Sequence, residues 1–407
     1  MSGPKVVRVR SREELADQCY AMIDLLRVSV QECEAFSRHH ETLDEASVRR
    51  RAGVVAELIA QTGAGAFDAV RKRCASEQEH VQFERAELER KIVGREAADA
   101  KRKRREEAIG QIKGQLGLKA EDLGRGTETT ESQRKLADAL GAEVDGVEIL
   151  AQRDDRLEQL LAEIRVLDAS SEGKALLETA GQLSSERDPT RYKMRMDSVG
   201  LEWAKRKQEI AARAARIARA RKASLGLARI SDEAAQGMRR RVEIALVAPD
   251  VSEEVVAEAD AFLVRHAQDA AATHRRRAVL QGLATLGYEV KQDLMTATPL
   301  DGRIVVKKPA SSGYGIEVMM PKGAPRFQVK VVSFKGATEA RSPARDRDAE
   351  TSWCSEFSKL QAMLKKNGTD LTIEQAKGIG AVPVAEVAMS DTEDRQEGVR
   401  MEQTRTL

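Results

Sequence analysis

Aromatic side chains are scarce in this 407-residue chain, where Phe, Trp and Tyr together make up 3% of the residues. A single large globular core normally takes much of its volume from aromatic rings. Charged residues, by contrast, make up 33% of the chain, which is typical of long solvated helices. The composition therefore favours an extended helical protein over one large globular domain.

Proline is missing over a long stretch, because the first proline after Pro4 is Pro189. A proline in a helix interior costs about 3 kcal/mol, so its absence permits long helices in this part of the chain. Seven of the nine prolines lie after residue 248, where the pattern changes to short strands. The proline distribution thus separates a helical body from a smaller C-terminal part.

Long apolar runs are also absent. No run approaches the roughly 18 residues of a membrane span, and the first residues lack the apolar core of a signal peptide. The four cysteines have no metal-ligand spacing and are too few for a disulfide framework. We therefore expect a cytoplasmic protein without a membrane partner, in which Cys19 and Cys33 are small buried residues. The frequent Arg and Ala residues suit a bacterial protein.

Motifs for catalysis and for cofactor or metal binding are missing as well. None of the five histidines has a partner at metal-ligand spacing. The chain contains neither a Gly-x-Ser-x-Gly sequence nor a phosphate-binding loop that ends in Gly-Lys-Ser or Gly-Lys-Thr. The sequence consequently predicts no catalytic residue, no metal ion and no cofactor.

Only a metal-dependent nuclease of the restriction type has candidate residues. Such a site needs acidic side chains and a lysine on neighbouring strands, and suitable residue types occur at Asp301, Glu317, Gln328 and Lys330. Asp301, however, lies in a Pro-Leu-Asp-Gly turn, where Asp is a common turn residue. Glu317 and Lys330 fit the exposed side of alternating strands equally well. We therefore predict that the protein is not an enzyme.

The stretch from Ser252 to Leu286 carries a ladder of residues whose spacing alternates between three and four. This heptad spacing keeps one stripe of a helix against a partner. One rung is His266, and a polar residue at such a rung commonly fixes the register or partner number of the helices. The alternative is that its ring lies at the edge of the stripe, half in water. The ladder consists of Val256, Ala259, Leu263, His266, Ala270, Thr273, Arg277 and Leu280.

Glycine, proline and periodicity divide the chain into four parts. Residues 1–130 predict a coiled coil of long helices with a glycine-rich tip, and residues 131–274 continue this helical bundle. Residues 275–388 predict a small α+β head domain, and residues 389–407 a disordered tail. The expected fold is mainly α, with an elongated antiparallel coiled-coil or helical-bundle body and a small C-terminal α+β domain.

The head is predicted from short alternating runs that turn residues separate. Six of the 13 aromatic residues fall between residues 288 and 357, so the most compact core is expected here. The predicted sheet is a four-stranded antiparallel meander flanked by helices. Its strands are 288–294, 303–307, 315–320 and 327–334, and further strand candidates follow the helix 349–366 at 371–374 and 382–387.

Charge is segregated in the body. The segment 143–188 holds 12 acidic and 5 basic residues, whereas 191–222 holds 11 basic and 3 acidic residues. We expect the two segments to fold back on each other and neutralise their charges. The alternative is that the basic helix lies along a nucleic-acid backbone, with salt-dependent affinity. The candidate contacts are Arg191, Lys193, Lys205, Arg206, Lys207, Arg213, Arg216, Arg219, Arg221 and Lys222.

The function expected from these features is that of a non-enzymatic structural or adaptor protein. Its helical body and its head would both contact protein partners, and the same helices could assemble into a homo-oligomer. The alternative is a nucleic-acid-associated component of a multi-gene bacterial complex, in defence or chromosome handling, that uses the basic helix 191–222. The net charge of +2 gives the whole chain no general attraction for nucleic acid, which favours the first function.

Overall fold

The structure is a computed structural model, and it describes residues 3–115, 144–186, 188–290, 302–309, 313–321, 324–336 and 341–388. Within these residues the protein is mainly α with a small sheet domain near the C-terminus, which confirms the predicted fold class. The expected glycine-rich tip, a further helix that the sequence pattern predicts at 131–140, and the expected tail 389–407 lie outside the described residues.

Eight helices precede the head in the described part of the chain, and several are long. Side-chain caps begin several of them. The Ser11 side chain accepts a hydrogen bond from the backbone N–H of Glu14, and the Asp188 side chain caps the helix that begins at Pro189. The helices are α1 (Arg12–His39), α2 (Glu45–Gly63), α3 (Phe67–Gln115), α4 (Val144–Leu167), α5 (Ser171–Gly181), α6 (Pro189–Leu227), α7 (Glu233–Val247) and α8 (Glu253–Thr285).

The body divides its apolar side chains among three separate clusters. The first cluster joins α1, α2 and the start of α3, and it buries Cys19 and Cys33 as predicted. The second cluster joins α4, α5 and the first half of α6 around Trp203. The third cluster joins the second half of α6 with α7 and α8. Because each cluster is small and mostly aliphatic, the body folds with few aromatic residues.

Helix α6 connects the second cluster to the third. Between Trp203 and Ala220 it contains no fully buried residue, and only the partly buried Ile210 and Ile217 pack against the second and third clusters. Four of these residues are the exposed alanines Ala211, Ala212, Ala214 and Ala215, and alanine has the highest helix propensity. The sequence therefore keeps α6 helical where little packing supports it.

The head contains α9 (Pro343–Lys366) and a sheet of six strands. The strands are β1 (Lys5–Arg10), β2 (Arg303–Lys307), β3 (Tyr314–Met319), β4 (Arg326–Phe334), β5 (Asp370–Ala376) and β6 (Ala385–Val387). The order across the sheet is β2-β3-β4-β1-β5, with antiparallel neighbours, while β6 pairs with β4 in parallel. The predicted meander is thus present in β2, β3 and β4.

Two features of the sheet differ from the four-stranded prediction. Most of the expected first strand, 288–294, lies outside the described residues, and its described part makes one bridge between Glu289 and Lys307. The sheet also receives β1 from the start of the chain, which pairs with β4 on one side and β5 on the other. Alternation places Val7 and Val9 on the buried face of this strand. Tertiary pairing was needed to assign β1 to the head.

The head core forms between one face of the sheet, α9 and the end of α8. It contains Val7, Leu283, Trp353 and Phe357. A Cβ atom at Gly282 would come within 2.3 Å of Leu360 Cδ1. The glycine therefore lets α8 approach α9 closely, and through this contact the last helix of the body becomes part of the head.

The buried residues of α8 follow the heptad ladder only at its two ends. Val256, Ala259 and Leu280 are buried as predicted, but Arg277 is exposed, and Arg275 and Arg276 are buried instead. A straight helix with 3.6 residues per turn drifts from a strict heptad repeat. In addition, α8 contacts α6 and α7 first, and then α1 and α9. The change of partner explains why a single ladder does not describe the whole helix.

Candidate functional site

Two cations in the first half of the basic helix α6 pair with the acidic segment, as expected. Arg206 Nε lies 2.7 Å from Asp168 Oδ2, and Lys207 Nζ lies 3.2 Å from Glu163 Oε2. Burial alone would raise the pKa of Asp168, but the hydrogen bonds from Arg206 and Ser170 outweigh it and lower this pKa. These contacts hold α6 against α4 and α5.

The second half of α6 uses other partners than the segment 143–188. Arg216 lies 3.1 Å from Asp250, and Arg219 lies 2.6 Å from Glu253 and 2.8 Å from Asp260. Arg213 donates to the backbone carbonyl of Pro249, and Arg221 lies 3.9 Å from Glu32 in α1. The expectation that the preceding acidic segment neutralises the whole helix is therefore too simple. The reason is that α6 leaves that segment and packs on α7 and α8.

The remaining candidate cations extend into solvent. Arg191 is 75% exposed and lies 3.8 Å from Asp188 in its own first turn. Lys193, Lys205 and Lys222 are exposed and make no ion pair within the described residues. The structure thus brings most of the ten candidate residues to acidic partners in the fold, and it leaves these three lysines free for an external ligand.

His266 lies at the edge of its stripe. Its side chain is 41% exposed, its ring stacks on Phe262, and Nε2 lies 3.9 Å from Asp232 Oδ2. An ion pair at this distance and exposure contributes little to stability. The position agrees with the alternative in which the ring is half in water.

Replacing His266 with leucine is expected to change the free energy of unfolding by less than about 0.5 kcal/mol, as is usual for exposed positions. Urea denaturation followed by circular dichroism measures this change. A loss of more than about 2 kcal/mol would contradict the placement, because it would require a buried hydrogen-bond network of the kind that makes substitutions costly.

The residues considered for a nuclease lie partly together on the open face of the sheet. Glu317 and Lys330 are cross-strand neighbours. Gln328 lies two residues before Lys330 on the same face of the sheet. The expectation that Glu317 lies on the exposed side of its strand is wrong, because Glu317 is buried. Its carboxylate accepts a hydrogen bond of 2.8 Å from Arg303 Nε and lies 2.9 Å from Lys330 Nζ. Asp301 lies outside the described residues. Two cations thus occupy the carboxylate that a metal ion would need, and no metal-binding group of three or more His, Cys, Asp or Glu occurs in the described residues.

A pocket of about 290 Å³ lies between α9 and the sheet. The aromatic side chains that line it are Tyr288, Tyr314 and Trp353. The Tyr288 hydroxyl donates a hydrogen bond to Glu356, which also forms an ion pair with Lys308. Burial and the bond to Glu356 raise the pKa of Tyr288. The sequence predicts the concentration of aromatic residues here, but the pocket depends on how α9 crosses the sheet and has no motif of its own.

Exposed apolar residues lie along one side of α6, interrupted by the exposed polar residues Asp197 and Gln208, and we call this set the outer stripe. It consists of Met194, Leu201, Ala212 and Ala215, which lie within about 60° of one another around the helix axis. The exposed fractions of Met194 and Leu201 are 69% and 74%. Exposed large apolar residues grouped on one face mark interaction sites more often than scattered ones do. Met194 and Leu201 are seven residues apart, which is heptad spacing. This pair was not predicted from the sequence, because charged residues dominate the sequence of the helix.

Comparisons with protein-family models, with curated proteins and with solved structures found no match. Among the described helices, none combines the length and the apolar composition that crossing a membrane requires.

Proposed function

We propose that the protein is a non-enzymatic structural or adaptor protein of the cytoplasm. Its coiled-coil body binds protein partners and carries the α+β head, which offers a second contact surface. The outer stripe of α6 is the observation on which this proposal depends. Apolar residues at heptad spacing are suited to a partner helix, and Met194 and Leu201 contact no core cluster of the described residues.

The charges of α6 support this proposal over nucleic-acid binding. Six of the ten candidate cations bond acidic side chains or a backbone carbonyl elsewhere in the fold. A phosphate backbone would have to displace these partners. The helix also offers few aromatic rings for base stacking, since Trp203 is buried in the second cluster and Tyr192 is buried beside it. The three solvated lysines leave only a weak electrostatic attraction.

Replacing both stripe residues with glutamate, as Met194→Glu with Leu201→Glu, is expected to abolish partner binding without unfolding the body. The two side chains are exposed, so the substitutions disturb no core. Affinity purification from the native host with quantitative mass spectrometry should recover a set of proteins with the natural sequence and lose it with the double variant.

The matched control is Ile244→Glu with Val247→Glu, which replaces two exposed apolar residues of α7 and adds the same two negative charges. Their exposed fractions are 69% and 85%. Equal recovery with both double variants would contradict a role for the outer stripe. The nucleic-acid alternative would be favoured if nuclease treatment removes the recovered partner proteins. The double variant Lys193→Glu with Lys205→Glu should then remove them as well.

A further inference from the structure

Lys5 occupies a core position of the head. It lies in β1, and its alternation with Val7 and Val9 directs it to the face that α9 covers. The residue is only 2% exposed, and it makes no ion pair with a carboxylate of the described residues. A lysine is almost never fully buried unless it is paired. This amine therefore requires an explanation beyond packing.

The surroundings of the Lys5 amine are a thiol, a ring and one acid. Lys5 Nζ lies 3.9 Å from Cys354 Sγ and 5.1 Å from the centre of the Phe357 ring. Glu350 is the charged group on the same side of α9, and its Oε2 accepts a hydrogen bond of 2.6 Å from the backbone N–H of Gly380. The amine is thus directed at sulfur, while the nearby carboxylate is bonded elsewhere.

Burial supports a nucleophilic role for this amine. Removal from water lowers the pKa of Lys5, although Cys354 and Glu350 act in the opposite direction. A lower pKa increases the fraction of neutral amine, and only the neutral amine has a lone pair for attack.

Cys354 differs from the other three cysteines in its exposure. It is partly exposed on α9, whereas Cys19, Cys33 and Cys74 are buried in the first cluster. Burial raises the pKa of each of those three thiols, to about 11 for Cys74. Since oxidants react with accessible thiolates, Cys354 is the cysteine that a peroxide reaches first. The other three serve as internal controls.

We propose that Lys5 and Cys354 form a reversible sulfur–nitrogen bond when the protein meets a peroxide. The Cys354 thiolate attacks one oxygen of hydrogen peroxide, which gives a sulfenic acid and hydroxide. The lone pair of the neutral Lys5 amine then attacks the sulfur, and the hydroxyl group and an amine proton leave as water. The sulfur is oxidised by two electrons, the peroxide is reduced by two, and one thiol, one amine and one peroxide yield a sulfenamide and two waters.

The bond would join β1 to α9 across the core of the head. Its two residues are 349 positions apart in the chain, so the crosslink encloses nearly the whole described body. Closing a long loop restricts the unfolded chain. The crosslinked head is therefore expected to unfold at a higher urea concentration than the reduced head, as followed by the fluorescence of Trp353.

The direct test is mass spectrometry of the natural protein after treatment with equimolar hydrogen peroxide. We expect a loss of about 2 Da, because the linkage removes two hydrogen atoms relative to thiol and amine. Peptide mapping should find the peptides of Lys5 and Cys354 joined, and dithiothreitol should restore the separate peptides. A sulfenic acid at Cys354 that dimedone traps completely, with no joined peptide, would overturn the proposal.

Two variants separate this reaction from ordinary thiol oxidation. Lys5→Arg keeps a cation but removes the nucleophilic amine, so dimedone labelling of Cys354 should increase and the joined peptide should vanish. Cys354→Ser should remove both signals. A joined peptide in which Cys354 is bonded to another lysine, or unchanged labelling in Lys5→Arg, would contradict the assignment. The measurement on the natural protein decides the proposal even where a variant folds poorly.

Discussion

Replacing Val7 with aspartate is expected to unfold the head and leave the helical body folded. Val7 is fully buried in the central strand β1, between β4 and β5. An aspartate there would place an unpaired charge in the core, which costs about 4 kcal/mol or more. The effect should be large because β1 contributes hydrogen bonds to two neighbouring strands.

The two tryptophans make this prediction measurable separately in the head and in the body. Trp353 belongs to the head core and Trp203 to the second cluster. Urea denaturation should show early loss of Trp353 fluorescence in a Trp203→Phe background, and an unchanged Trp203 transition in a Trp353→Phe background. An unaltered Trp353 transition would mean that β1 is dispensable for the head.

The matched control for Val7→Asp is the same substitution at the neighbouring residue, Val6→Asp, on the opposite face of the strand. Val6 is half-buried on the open face of the sheet, opposite Gln328 and Gln375. Aspartate is a poor strand residue, and differences in strand propensity span about 1 kcal/mol. Val6→Asp should therefore destabilise the head by only about this amount.

Replacing Arg275 with alanine is expected to cost about 3–5 kcal/mol, the usual result of breaking a buried ion pair. The Arg275 side chain is 6% exposed, and its Nη1 lies 3.0 Å from both carboxylate oxygens of Glu14. Its Nη2 also donates to the carbonyl of Ala324 at 3.5 Å. Because this residue joins α8 to the first turn of α1 and to the loop before β4, its loss should destabilise the junction of body and head.

The matched control is Arg277→Ala on the exposed side of the same helix. This change should alter the free energy of unfolding by less than about 0.5 kcal/mol. Adding Glu14→Ala to Arg275→Ala should cost less than the sum of the single changes, since the two residues are in contact. Strict additivity, measured by urea denaturation, would show that the pair does not act as a unit.

Local signals located most helices correctly. The first helix spans Arg12–His39 directly after the capping residue Ser11, and the helix Pro189–Leu227 follows the capping residue Asp188. Caps, proline positions and apolar spacing act over a few residues, so they can be read without tertiary information. The helix of the head was expected at 349–366 but begins at Pro343, because the Ser342 cap and the proline at its first turn were missed.

Long-range partners could not be inferred in the same way. The run Lys5–Arg10 alternates apolar and basic residues as a strand would, yet its partners lie more than 300 residues later in the chain. Contacts among the candidate residues also join separate parts of the chain. Arg219 meets Asp260, which lies 41 residues later, and Lys5 meets Cys354, which lies 349 residues later.

Composition and short-range periodicity are enough to predict the helical character of the body, the position of the head and the lack of recognised catalytic motifs. Tertiary packing, by contrast, sets which residues are buried on α8, where Arg275 is buried in place of the expected Arg277. Tertiary packing also sets which acids neutralise α6 and adds β1 to the sheet. These outcomes depend on how helices and strands approach one another in space, and a packing contact leaves no fixed spacing in the chain.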